Sequence, residues 1–152
     1  MVFLNKRILA VIPARGGSKG IPRKNLRKVN GKSLVQYAAE ICKALPWLDK
    51  AIISTDDEEI AEEGRKNGLK VPFMRPERLS TDNASSVDMW VHAWLTSELV
   101  FSEKFDISIL LEPTSPLRTP KDIELCITKL IKDGHSAVAT VSQMPAHYKP
   151  EK

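Results

Sequence analysis

Residues 14–25 (ARGGSKGIPRKN) place four cations, Arg15, Lys19, Arg23 and Lys24, among three glycines, Gly16, Gly17 and Gly20. Residue types in this pattern suit a polyanion. Glycine tolerates positive φ and lets main chain approach a ligand, so successive amide N–H groups can point at phosphate oxygens. Arg15, Lys19 and Lys24 would add the full charges that a triphosphate needs. Between residues 15 and 28 there are six cations and no acid, which leaves 17 basic residues against 19 acidic ones elsewhere. The basicity therefore belongs to one segment. A nucleic-acid surface spreads its charge over helices and interleaves aromatics, and none lie here, so the cluster predicts a pocket for a small polyanion and no nucleic-acid partner.

Several other chemistries are excluded. Gly31-Lys32-Ser33 could end a Walker loop only with glycine at position 26, which is Leu26, so Ser33 is read as a helix cap. The dinucleotide fingerprint needs a tight turn straight from strand into helix, whereas a long segment intervenes. Cys42 and Cys126 stand singly in amphipathic stretches, and His92, His135 and His147 form no pair. Buried thiols are expected, with no zinc site and no Cys–His nucleophile.

The elements that must position the cationic loop follow from apolar spacing. Residues 7–13 (RILAVIP), 51–54 and 107–111 (ISILL) are continuous apolar runs of strand type, and 136–142 (SAVATVS) is a fourth candidate. Runs apolar on both faces predict a parallel sheet covered by helices. Helical periods lie between them. Ser33 caps a helix to about Ala44, and Asp56 or Asp57 caps one to about Asn67, closed by Gly68. Ser85 or Ser86 caps a third, to about Phe101, with Val87, Val91, Trp94, Leu95 and Glu98 on one face. Thr119-Pro120 opens a fourth, to Lys132.

The alternation predicts an α/β, Rossmann-like three-layer sandwich with a mostly parallel sheet over residues 1–142, and a departing tail over 143–152. Residues 14–32 and 71–84 are too long for plain connections and should leave the carboxyl ends of strands, where open α/β sheets bind ligands. With no apolar run long enough for a leader or a span, the chain reads as cytoplasmic and not bound to a membrane.

Four blocks in order carry a resemblance: residues 12–26 (IPARGGSKGIPRKNL), 53–56 (ISTD), Arg75-Pro76 with 79–86 (LSTDNASS), and 111–119 (LEPTSPLRT). Together they resemble the acylneuraminate cytidylyltransferases, which join CMP to sialic acid and related nine-carbon sugars. The resemblance implies the fold of the nucleotide-diphospho-sugar transferases, with CTP and a nine-carbon 2-keto sugar acid as substrates, pyrophosphate as the second product, and Mg2+. It implies that Arg15 and Lys24 are catalytic, and that Arg15, Gly16, Gly17, Ser18, Lys19 and Asn25 hold the triphosphate. Arg75, Ala84, Ser85 and Ser86 would read cytosine, and Glu112 would face the sugar.

Glu112 departs from the family pattern, where glutamine is usual. A carboxylate only accepts hydrogen bonds and repels the substrate acid's carboxylate, so this departure leaves the acceptor open to a different nonulosonic acid, for example of legionaminic or pseudaminic type; the alternative is that Glu112 pairs with Arg118. The family's metal-holding aspartate pair and dimerisation arm lie beyond this sequence. Asp56 is a candidate metal ligand, with helix-start acidity as the alternative, and a homodimer is implied only where the arm is present. The sequence therefore reads as truncated at its C-terminus. The alternatives are a nucleotide-binding homologue with impaired chemistry, and an activator of the eight-carbon acid Kdo, whose synthetases carry a different run in place of Gly16 to Lys19.

Overall fold

The unbroken apolar run at the start becomes the middle of a sheet. In a computed structural model, which describes residue 3 and residues 5–143, the elements in chain order are β1 (Ile8–Pro13), β2 (Lys28–Val29), β3 (Lys32–Ser33), α1 (Leu34–Lys43), β4 (Lys50–Ser54), α2 (Glu58–Lys66), α3 (Ser86–Phe101), β5 (Ile107–Leu110) and α4 (Pro120–Lys132). β1 pairs in parallel with β4 on one edge and β5 on the other. Ile8 to Ile12 are completely buried, which is why this strand shows no polar alternation. The chain divides into two compact units, Phe3–Arg118 and a second that begins at Thr119.

Both faces of the sheet are covered within the first unit. Leu9, Val11 and Ile52 pack with Ala93 of α3 and with Phe105. On the opposite face Ile53 meets α2 at Gly64, where an added Cβ would lie 2.9 Å from Ile53 Cγ2. Helices on both faces of a parallel sheet make the three layers that the sequence predicts.

The caps are as read. Ser33 Oγ accepts from the Gln36 amide at 3.0 Å, Asp57 from Ile60 at 3.1 Å and Ser85 from Asp88 at 3.3 Å. Gly68 closes α2 at φ +86°. In the second unit, Thr119 and Asp122 form a reciprocal capping box ahead of α4.

Three readings are corrected. Residues 136–142 form no strand: they lie exposed or half-exposed and have no ladder partner among the described residues, and a strand exists only by its ladder. The expected inner face of α3 is largely its outer one. Val87, Val91 and Leu95 are exposed, while Met89, Ala93, Ser97 and Glu98 are buried. Apolar residues surround this helix, so spacing could not choose a face. Two indoles and a satisfied carboxylate decide it: Trp90 Nε1 donates to Ser108 Oγ at 2.8 Å, and Glu98 accepts from Trp94 Nε1, Lys104 Nζ and the Phe105 amide.

Third, residues 14–32 are not structureless throughout. A 3-10 turn at Lys24–Leu26 is followed by the β2–β3 hairpin, turned by Asn30 (φ 49°) and Gly31 (φ 79°). Asn-Gly is the signal for such a turn. The tail from residue 144 onward lies outside the described residues. Among the described residues no helix is long and apolar enough to cross a membrane.

Candidate functional site

The cationic loop leaves β1 where it was expected, at the carboxyl end of the sheet. The Ala14 amide donates to Ser54 O at 2.9 Å, so the ladder continues one residue past β1 before the chain turns away. The Gly16 amide then donates to Asp56 Oδ1 at 2.9 Å. A Cβ on Gly16 would lie 2.8 Å from Asp57 Oδ2 and 3.0 Å from Asp57 Cβ, so this approach of loop to α2 admits only glycine. Gly17 and Gly20 face open space.

None of the three loop glycines uses the positive φ open to it; between residues 14 and 25 the left-handed residue is Arg23, at φ 55°. Their contribution is closeness at Gly16 and uncrowded main chain at the other two. Asn25 is buried and its Nδ2 donates to Arg15 O at 3.1 Å, which fixes the start of the loop from behind.

The four cations divide by partner. Arg23 is pinned to the start of α2 by Asp57 and by Glu59 (2.6 Å). Burial pushes the Asp57 carboxyl up, but Arg23 and the helix amides outweigh it and hold it below the usual range. Arg15 Nη1 lies 2.7 Å from Asp82 Oδ1 and Lys19 Nζ lies 2.5 Å from Asp82 Oδ2. Lys19, and then Arg15, keep the Asp82 carboxyl low. Lys24 forms no ion pair or side-chain hydrogen bond among the described residues, nor does the Ser18 hydroxyl. Asp82 lies within a motif block, yet its chemistry gave no sign in sequence that it would close on the loop.

Arg75 reaches the same end of the sheet from the other long connection. It is 7% exposed; Nε donates to Ser54 Oγ at 3.0 Å and Nη2 to Ser54 O at 2.5 Å. Burial lowers its pKa to about 10, against the pull of Asp56, with repulsion from Arg15 adding to the drop. Two of its donors are thus spent on the strand end. Ala84 closes a turn on Thr81 O (3.2 Å), Ser85 caps α3 and Ser86 is the first residue of that helix. Of the two serines, Ser85 is the one committed to capping.

Glu112 is exposed just beyond β5. Arg118 Nη2 donates to its main-chain oxygen at 3.1 Å, and the carboxylate itself forms no ion pair among the described residues, so the Arg118 pairing is not what the structure shows. Asp56, engaged by Gly16, is not part of a metal set: among the described residues no three His, Cys, Asp or Glu side chains converge. Mg2+ is commonly held by one or two carboxylates together with substrate phosphates, and Asp56 is the carboxylate that the Gly16 amide contacts at this end of the sheet. An open hollow of about 490 Å³ between Ser33 and α2 is walled by Glu58, Glu59, Glu62 and Glu63 against Lys28 and Lys66, a net negative lining that does not suit a triphosphate.

A cationic, glycine-containing loop and a buried arginine thus meet at the carboxyl end of a parallel sheet, the place where open α/β domains bind ligands. Among solved structures, a CMP:2-keto-3-deoxy-manno-octonic acid synthetase complexed with CTP is similar, with a TM-score of 0.67 and 27% identity over 84% of this chain and 48% of that one. The fold is that of the nucleotidyltransferases. The model of the Cytidylyltransferase family matches residues 9–147, and the chain belongs to this family.

Among curated relatives, CMP-N,N'-diacetyllegionaminic acid synthase of Legionella pneumophila is 35% identical over 95% of this chain and 60% of its own length. Pseudaminic acid cytidylyltransferase of Campylobacter jejuni is 39% identical over 82% and 53%. The resemblance read from the four blocks is thereby borne out. The chain spans about half the length of the curated relatives it matches.

Proposed function

We propose that this chain forms the CTP-binding part of a cytidylyltransferase that activates a nonulosonic acid. The observation that carries the reading is that Arg15 and Lys19 converge on one anionic group, Asp82, beside the ends of β1 and β4, where Arg75 is also bound. In the reaction the anomeric hydroxyl of the sugar acid attacks the α-phosphorus of CTP. The O–P bond to CMP forms, the bond to the leaving pyrophosphate breaks, and the hydroxyl proton is released. Such a step is catalysed by positioning and by stabilising the charge that grows on pyrophosphate.

Arg15 and Lys19 suit the triphosphate, with Gly16, Gly17 and Ser18 supplying main-chain and hydroxyl donors, and Asn25 holding the loop. Lys24, without an ion pair among the described residues, suits the transition-state charge. Arg75, Ala84, Ser85 and Ser86 suit cytosine. Glu112 suits hydroxyl or amide donors of the acceptor. Mg2+ belongs to this proposal as the companion of CTP, as do a homodimer and a cytoplasmic setting.

The test is pyrophosphate release from CTP, Mg2+ and a panel of legionaminic, pseudaminic, neuraminic and Kdo acids. Replacing Lys24 by Ala should lower turnover about a hundredfold, the usual loss for one charge-stabilising donor. Unchanged turnover would remove Lys24 from the mechanism, and preference for Kdo would overturn the acceptor class.

A further inference from the structure

Asp82 occupies the two cations of the loop as a phosphate would. Its Oδ1 meets Arg15 Nη1 at 2.7 Å and its Oδ2 meets Lys19 Nζ at 2.5 Å, so two oxygens of one anionic group span two positive side chains. The carboxylate is about one-third exposed and Lys19 mostly so. Exposed pairs of this kind are weak and exchange readily with competing anions. The Arg23 pairs differ, because they tie the loop to the first turn of α2.

The stretch that carries Asp82 is built to move. At one end Ser80 is buried and bonded to Pro76 O and Glu77 O. At the other, Ser85 caps α3. Residues 81–83 between them are exposed and are held by the Thr81–Ala84 turn alone among main-chain bonds. Displacing the carboxylate therefore disturbs no part of the core. Ala84–Ser86, the segment assigned to cytosine, lies immediately downstream.

We infer that Asp82 is a built-in stand-in for phosphate, which keeps Arg15 and Lys19 aimed together and is displaced when a nucleoside triphosphate binds. The inference rests on the reading of the loop as a triphosphate site. It makes Asp82 a positioning residue that also competes with the substrate. Every molecule with its clasp closed must release it before binding, so apparent affinity falls by the fraction of molecules open.

The experiment is calorimetric titration of tripolyphosphate, and separately of CTP, into the wild-type chain, Asp82→Asn and Asp82→Glu. Losing two exposed pairs should tighten tripolyphosphate binding to Asp82→Asn about threefold to thirtyfold, with Asp82→Glu staying near wild type. A merely structural role for Asp82 moves affinity the other way. Asp82→Ser gives the same readout should the Asn variant not fold. Wild type binding both ligands, with Asp82→Asn equal or weaker, overturns the clasp alone. Wild type binding neither ligand overturns the loop assignment, and the clasp with it.

Discussion

Arg75 is buried against the end of β4, and replacing it by methionine separates the cost of that burial from its use. Burial lowers its pKa to about 10, which at about 1.4 kcal/mol per unit sets about 3 kcal/mol against the charged form in the native state. Because the folded value is the lower one, the penalty is full below about pH 10 and fades as the pH rises above it. Met keeps most of the buried stem. What it loses is donation to Ser54 O and Ser54 Oγ. The carbonyl retains the Ala14 amide, so only a rotatable hydroxyl is left to find a partner, and the loss is about 1–3 kcal/mol.

The balance predicts that Arg75→Met is as stable as wild type or more stable by up to about 2 kcal/mol at pH 7. Urea unfolding, with both chains showing the same m-value, measures it. A variant less stable by more than about 2 kcal/mol would show that the guanidinium bonds outweigh burial, and would refute the reasoning. In the same variant CTP affinity should fall at least about tenfold, the worth of one charge-assisted bond.

Three caps and contacts give the remaining predictions. Gly64→Ala puts a methyl 2.9 Å from Cγ2 of the fully buried Ile53. Overpacking of about 1–3 kcal/mol, less about 1 kcal/mol of helix propensity, leaves α2 destabilised by about 1 kcal/mol in urea unfolding. Ser33→Ala removes the cap of α1 and the 2.6 Å donation to Glu63. It should cost about 1–2 kcal/mol, against about 0.5 kcal/mol for Ser85→Ala, whose cap is longer and exposed. Equal losses at the two serines, read by the same unfolding assay, would show that the link to Glu63 adds nothing.

The parts legible in the sequence were those where one residue has one job. Ser33, Asp57, Ser85 and Thr119 are caps by residue type and place, and ILAVIP is a central strand because neither face is polar. The loop after β1 was legible from its charge and glycines. What failed depended on partners far away in the chain. The inner face of α3 is chosen by Ser108 and Phe105, not by spacing. Asp82 meets Arg15 across 67 positions, and no local pattern announces it. Arg75 was singled out by the resemblance alone, and its commitment to Ser54 appears only once the fold brings residue 75 to the end of β4. The Asn30-Gly31 turn was legible by its dipeptide and was overlooked within a segment read for its charges.

That turn has a consequence for the loop before it. Tyr37 of α1 donates to Val29 O at 2.9 Å, so the hairpin is stapled to a helix just as Ala14 is stapled to Ser54. Residues 17–22 thus hang like a cable between two fixed posts, Gly16 being held to Asp56. Lengthening such a span twofold adds only about 0.6 kcal/mol of closure entropy. Insertions or exchanges there would retune the grip on an anion while both posts, and the sheet behind them, stay where they are.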